Sequence, residues 1–357
     1  MGILGKLFGK NKAVKGPRGF HQLVISEVRT LCGDTVEITF DVPSDLKNEF
    51  TFKAGQYINL AIEINGKEER RSYSLSSAPA EGLIIAVKKV EKGLVSNWLF
   101  ENAVKGMEMW VSHPEGAFIL PEGSKNIVAF AAGSGITPIL SIAKSVDPGG
   151  TFRLFYGNKD EAHILYKDEI ASLGHISTQI LLSREEKDGY ENGRIDKDFM
   201  SQLIRSDLSI LKSDCFLICG PEAMIVAIKE SLNLFGVSDK KIVFELFTTP
   251  ELLKPETPVV HSDFKGAVEL FIQLDGDVEE ITVDEKTTIL DAANKAGLDA
   301  PYSCRGGVCS SCKCKIIEGS AQMRMNYVLT DSEVKEGYLL GCQATATSET
   351  LKVTFDV

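Results

Sequence analysis

Between Phe20 and about Leu120 apolar residues fall in short runs, HQLVISEVRTL, TVEITFDV, QYINLAIEI, RRSYSLSS and LIIAVKKV. Runs of this length and β-branched content read as strands. Turn residues such as Cys32-Gly33-Asp34 and Asn65-Gly66-Lys67 separate them, and a single stretch, VSNWLFENA, has helical spacing. Strands so closely set predict a small antiparallel β-barrel over residues 20–121. The texture then changes. Apolar runs NIVAFAA, TFRLFYG, ISTQILLS, DCFLICG and KIVFELF alternate with helix-like PILSIAKSV, ILYKDEIASL, KDFMSQLIRS and PEAMIVAIKESLNLFG. That rhythm predicts an α/β domain with a parallel sheet over residues 122–247, its ligands at the carboxyl ends of the strands. Residues 248–264 hold three prolines and little periodicity, as a semi-rigid linker does. Residues 265–357 open with the strands AVELFIQLDG and VEEITVDE, pass through the helix-like TILDAANKAG and enter a cysteine loop.

Composition places the 357 residues, 43% apolar and 25% charged, among soluble globular chains of two or three domains. No apolar run approaches the ~20 residues needed to cross a bilayer. Lysines interrupt the short apolar stretch at the N-terminus, which argues against a signal peptide and for a cytoplasmic protein. The net charge of −11 is unevenly spread. Residues 1–19 form a flexible basic tip, with Lys6, Lys10, Lys12, Lys15 and Arg18 and no acid; stable membrane insertion is not expected of it. Residues 265–357 carry 15 acids against nine bases, which argues against nucleic acid and suits either a basic protein partner or mere solubility.

Eight cysteines in such a chain point to metal or redox chemistry. Cys304, Cys309 and Cys312 are spaced C-x4-C-x2-C, and Cys342 follows after 29 intervening residues. That is the spacing of plant-type two-iron clusters, and Gly306-Gly307 permit the tight curl that three converging thiolates need. Zinc is the rival, although zinc ribbons usually repeat C-x2-C pairs. Cys314, in the strand KCKIIEG, reads as a core residue. The five histidines show no ligand spacing.

Three further motifs carry chemistry. Arg71-Ser72-Tyr73-Ser74 ends a strand, where an Arg can neutralise a pyrophosphate, a Tyr can pack on a flavin ring and a Ser hydroxyl can reach flavin N5. Gly93-Leu94-Val95-Ser96 opens a helix whose free N–H groups suit a phosphate; Ser96 reads equally as a helix cap. Gly133-Ser134-Gly135-Ile136-Thr137-Pro138 follows the strand NIVAFAA, a strand–turn–helix context for a nucleotide in which Pro138 replaces the third glycine of the Rossmann fingerprint.

Together these motifs resemble the ferredoxin–NADP⁺ reductase superfamily from about residue 20 to 247: RxYS and GxxS for flavin, GxGxxP for the nucleotide, and Cys219-Gly220-Pro221 near the nicotinamide. The resemblance implies FAD rather than FMN. It also implies that Ser74, Cys219 and Glu245 serve hydride transfer and that Phe247 covers the ring. Ser183-Arg184 is similar to the 2′-phosphate grip of NADPH-using relatives, although Glu185 and Glu186 follow, so NADH stays possible. Residues 265–357 resemble a plant-type ferredoxin, a β-grasp fold holding a [2Fe–2S] cluster on Cys304, Cys309, Cys312 and Cys342.

The order of the three domains is similar to the reductase components of multi-component oxygenases. Within that family, ERRSYSLSSAP and CRGGVCSSCK look most like the reductase subunits of phenylacetyl-CoA epoxidases, with ketosteroid-hydroxylase reductases next. The implied function is an electron relay from NAD(P)H through FAD and [2Fe–2S] to a non-haem iron oxygenase, here a di-iron one. Reductases of Rieske oxygenases, general ferredoxin reductases and redox-sensing modules are the alternatives.

Overall fold

The computed structural model describes residues 16–147, 149–247 and 264–357. The basic tip up to Lys15 and all but Phe264 of the expected linker lie outside the described residues.

The first unit is the expected barrel. Strands β1 (Phe20–Cys32), β2 (Thr35–Asp41), β3 (Tyr57–Ile64), β4 (Lys67–Ser74), β5 (Leu83–Lys88) and β6 (Glu108–Ser112) order as β4-β3-β6-β1-β2-β5. An antiparallel bridge from Leu75, just past β4, to Ile85 in β5 joins the two edges and closes the sheet. Asn65 and Gly66 both take positive φ, 54° and 73°, which is the tight hairpin geometry that Asn-Gly favours. Helix α1 (Leu94–Asn102) buries Val95 and Leu99 in the barrel core.

In the second unit, β7 (Asn126–Ala132), β8 (Thr151–Asn158), β9 (Ile176–Leu182), β10 (Glu191–Asn192), β11 (Cys215–Cys219) and β12 (Ile242–Glu245) form a parallel sheet ordered β10-β9-β8-β7-β11-β12. Helices α2 (Ile136–Ser145) and α3 (Lys167–Ser172) cover one face; α4 (Lys197–Ser206) and α5 (Glu222–Leu234) cover the other. Helix α3 is shorter than its apolar pattern suggests. Tyr166 sits at φ 56°, in the left-handed region, so the helix starts only after it, while Ile164 and Leu165 fill the core as loop residues. Phe118 and Ala86 of the barrel join the core on the α2 side, so the two units share one apolar seam.

The third unit has strands β13 (Ala267–Leu274), β14 (Asp277–Asp284), β15 (Lys313–Glu318), β17 (Tyr338–Leu340) and β19 (Thr350–Thr354) in the order β14-β13-β19-β15-β17. Helix α6 (Ile289–Lys295) packs on this sheet, a short pair β16 (Ala321–Met323) and β18 (Ala344–Ala346) lies beside it, and α7 (Asp331–Lys335) precedes β17. The Thr288 hydroxyl caps α6 by accepting from the Asp291 N–H.

The third unit docks on both others. Arg70, 3% exposed, donates to Asp299 at 2.6 Å and lies between the Phe20 and Tyr302 rings. Val308 and Tyr327 enter the apolar cluster on the α5 side of the parallel sheet. This docking explains why β3 is buried on both faces, all but Glu63. Ile58, Leu60 and Ile62 point into the barrel, and the outward Tyr57 and Asn59 are covered by the cysteine loop.

Candidate functional site

A cleft of about 310 Å³ opens where the three units meet. Its walls include Tyr57, Arg71, Ser72 and Ser74 from the barrel, Glu245 and Phe247 from the end of β12, and Ser303, Cys304, Val308 and Cys309 from the cysteine loop. The volume and the few convergent polar groups are those of a small-molecule site. Ser74 ends β4 and donates to Glu245 Oε2 at 2.8 Å, joining the barrel to the parallel sheet. Cys219 lies directly beside Glu245 in the β11–β12 register and is fully buried. The three residues expected to serve hydride transfer therefore converge. Tyr73 is half-buried against the barrel core, and Arg71 stands exposed at the rim, paired with Glu69 at 3.1 Å.

Burial pushes the Glu245 carboxyl up to about 7, against the opposing effect of the Ser74 hydrogen bond, while one side of the residue opens on the cleft. Burial, with Glu245 alongside, also pushes the Cys219 thiol well up, so it stays protonated. The Glu245 shift has a sign that can be measured. An acid raised on folding binds a proton in the folded state between about 4.5 and 7, so its contribution to stability is complete below that window and drains away as the pH rises through it. Glu245→Gln is therefore expected to melt above the parent at pH 8 and to show no such gain at pH 5, by thermal unfolding at the two pH values.

The nucleotide motifs gather along the carboxyl ends of the parallel strands. Gly133 and Gly135 turn the chain from β7 into α2; Thr137 bonds back to the Ser134 carbonyl at 3.0 Å, and Pro138 sits in the first turn. Gly220 and Pro221 lead from β11 into α5, and Ser183 and Arg184 follow β9, with the Ser183 hydroxyl on the Asn158 carbonyl at 3.1 Å. The Glu185 carboxylate is turned to the Glu161 N–H, which it accepts at 2.8 Å. At α1, Gly93 is the N-cap and the Val95 side chain is in the core, so only its N–H can face a ligand. The Ser96 hydroxyl accepts from the Val90 N–H at 3.3 Å. A cavity of about 240 Å³, lined by Lys125, Thr151 and His175, lies at the opposite ends of these strands, away from the binding edge.

In the cysteine loop the left-handed positions are Arg305, Gly307 and Ser310, at φ 53°, 77° and 56°; Gly306 is not among them. The curl turns N–H groups onto sulfur: Gly306 to Cys304 at 3.3 Å, Cys304 to Cys309 at 3.4 Å and Cys342 to Cys312 at 3.5 Å. All four thiols are free. They pair as Cys304 with Cys309 and Cys312 with Cys342, the backbone N–H of one member of each pair donating to the sulfur of the other. The Cys309 side chain and the loop N–H groups hold the Cys304 thiol down, to about 6. A tetrahedral zinc site would bring all four sulfurs within about 4 Å of one another. Among the described residues, the sole set of three ligand atoms that close is His21, Glu49 and His113. Two separate thiol pairs with N–H groups on sulfur fit a binuclear cluster.

Sequence reasoning missed the residues that seat this loop. Tyr57 donates to the Cys309 carbonyl, and Ser311 donates to Glu115 at 3.1 Å. Asn59 also donates to Glu115, and Ser72 meets Ser303 at 2.7 Å. Burial raises the Glu115 carboxyl to about 7. Asn59 was the available signal, since from Tyr57 to Ile62 it is an outward polar residue in a stretch otherwise apolar on both faces, which marks a covered strand.

Comparison with known proteins agrees with this architecture. Residues 22–119 match the model of the oxidoreductase FAD-binding domain, 130–230 that of the oxidoreductase NAD-binding domain and 272–347 that of the 2Fe-2S iron-sulfur cluster binding domain. A component of the 1,2-phenylacetyl-CoA epoxidase from Escherichia coli is 35% identical over 94% of this chain and 98% of its own. The ferredoxin reductase component of 3-ketosteroid-9-alpha-monooxygenase from Rhodococcus rhodochrous is 30% identical over 96% and 99%. The structure of phthalate dioxygenase reductase covers 94% of this chain and 98% of its own, with a TM-score of 0.58 at 24% identity, and shares the fold. With three domain models in sequence and relatives alike from end to end, the chain belongs to the family of NAD(P)H-dependent oxidoreductases that join FAD-binding, NAD-binding and [2Fe–2S] domains, the reductase components of oxygenase systems.

Proposed function

We propose that this protein draws on NADPH and delivers electrons to a di-iron, non-haem oxygenase of the phenylacetyl-CoA epoxidase type. The observation that carries the relay is the shared cleft: Ser74 and Glu245 stand on one wall and Cys304 and Cys309 on another. When bound, FAD takes hydride as an electron pair and the [2Fe–2S] centre passes electrons on singly. The chain's own residues provide the setting. Ser74 and Glu245 hold a hydrogen-bonded pair where hydride would arrive, and the buried Cys219 packs behind it. Phe247, 46% exposed at the cleft, is free to cover a ring. Gly133, Gly135, Gly220 and Pro221 bring backbone close to the nucleotide, and Arg71, Ser72, Tyr73, Gly93, Val95 and Ser96 hold the flavin side. Eight free thiols suit the reducing cytoplasm.

The preference for NADPH rests on Arg184. It is exposed, it forms no ion pair among the described residues, and Glu185 beside it is occupied elsewhere. Arg184→Ala is expected to raise KM for NADPH by roughly tenfold or more, the loss of a charged fork on a phosphate, and to leave KM for NADH within about twofold. Steady-state kinetics with both nucleotides decides.

The test of the whole reading is anaerobic titration with NADPH followed by low-temperature EPR, then turnover with a phenylacetyl-CoA epoxidase oxygenase and, in parallel, a Rieske oxygenase. Bleaching of flavin absorption, growth of a one-electron [2Fe–2S] signal and product from the epoxidase alone support it. Product only with the Rieske component overturns the partner, and an absent cluster signal overturns the relay.

A further inference from the structure

Where β1 begins and β6 ends, in the same cross-strand row as Arg71, three side chains that no motif above includes make a triangle. His113 Nε2 lies 2.9 Å from His21 Nε2 and 3.0 Å from Glu49 Oε2, and His21 Nε2 lies 3.2 Å from the same oxygen. His21 pairs with Val111 across β1 and β6, so His21 and His113 share the barrel's inward face. They continue the rows of Leu23 and Ile25 on one strand and Met109 and Val111 on the other, one step beyond the core. Glu49 comes from the segment between β2 and β3. The buried Phe50 sets its ring edge-on to both imidazoles, with centroids at 5.7 and 5.6 Å, which limits how either can turn.

Hydrogen bonds cannot close this triangle. A ring nitrogen carries either a proton or a lone pair, so it cannot accept from one neighbour and donate to the other. Two of the three edges at most can be straight hydrogen bonds, and the third sets lone pair against lone pair or proton against proton. A cation above the triangle satisfies all three atoms at once. Ligands about 2.1 Å from an ion stand about 3.0 Å apart at right angles and about 3.4 Å apart in a tetrahedron. The observed edges, 2.9 to 3.2 Å, lie at the right-angle end of that range.

We propose that His21, Glu49 and His113 bind a divalent transition-metal ion, Zn²⁺ foremost, as two imidazoles and a carboxylate with the remaining positions open to water. The donor set suits borderline metals over Mg²⁺ or Ca²⁺, which take oxygen ligands. The side chains are 29%, 45% and 44% exposed, so an ion has a path in. Bound there, it ties the segment between β2 and β3 to the ends of β1 and β6 and stoppers the barrel core.

The test uses the complete holoprotein, stripped with EDTA under conditions that leave its visible absorption unchanged, then given Zn²⁺ alone. One Zn²⁺ per chain is expected to bind beyond the cluster iron, and Glu49→Gln and His113→Ala are each expected to weaken it by at least tenfold while flavin and cluster absorption persist. X-ray absorption at the zinc edge of the parent protein, which needs no variant, should show nitrogen and oxygen neighbours with an imidazole signature and no sulfur near ~2.3 Å. Failure of the parent to retain Zn²⁺, equal affinity in parent and variants, or a sulfur shell with loss of cluster absorption overturns the proposal.

Discussion

Cys312→Ser is expected to leave NADPH oxidation by ferricyanide within about twofold of the parent while oxygenase-coupled turnover falls by at least about a thousandfold. The thiol is 2% exposed, is paired with Cys342 and accepts the Cys342 N–H at 3.5 Å. A serine keeps the shape but offers a hard oxygen donor where iron–sulfur chemistry calls for thiolate. The flavin side is untouched, because Ser74, Glu245 and the nucleotide turn lie on other elements. Cys314→Ser is the control. Its side chain faces the core of the third unit, and burial pushes the thiol up to about 12. That substitution is expected to lower stability by about 1–2 kcal/mol, the cost of a buried hydroxyl, with iron content unchanged. Iron analysis and the two acceptor assays separate the cases; equal iron in Cys312→Ser and the parent would sink the assignment of that ligand.

Where local rules governed, the fold could be read in advance. Asn65-Gly66 demanded a hairpin and received one, and the βα alternation led to a parallel sheet whose motifs all gathered at one edge. The cysteine spacing carried the loop, although Arg305 and Ser310 share the strained positions with Gly307 in place of Gly306. What could not be read is what depends on contacts distant in sequence. Nothing near Tyr57 announces Cys309, some 250 residues on, and nothing near Arg70 announces Asp299. The histidines show the same limit. His21 and His113 have no ligand spacing because register across two strands, and not separation along the chain, brings them together. Helix α3 failed on a single residue, since the left-handed Tyr166 overrides an apolar pattern that read as helix.

Gly135→Ala is expected to be the most damaging single-methyl change at the nucleotide edge. The φ of Gly135, −62°, suits any residue, so backbone freedom is not why glycine stands there. Space is the reason: a Cβ would lie 2.1 Å from the Cys219 carbonyl oxygen and 2.5 Å from its carbon. Both partners are backbone, and β7 and β11 are locked in register with Ala131 opposite Cys219, so neither side can yield cheaply. The methyl must push the end of β11, and with it Cys219 and Gly220, away from the turn. Overpacking of this kind costs about 1–3 kcal/mol, and a displacement of about 1 Å at reacting groups slows chemistry about a hundredfold. Gly133→Ala makes the contrast. It meets nothing within 4 Å but sits at φ 53°, so it should cost about 1 kcal/mol of backbone strain and leave the Cys219 edge in place. Thermal unfolding of both variants, with stopped-flow flavin reduction by NADPH, tests the difference. A hundredfold loss confined to Gly135→Ala ties hydride transfer to the packing of this turn on Cys219, whereas equal losses in both would make the turn's own conformation, and not its neighbour, the controlling feature.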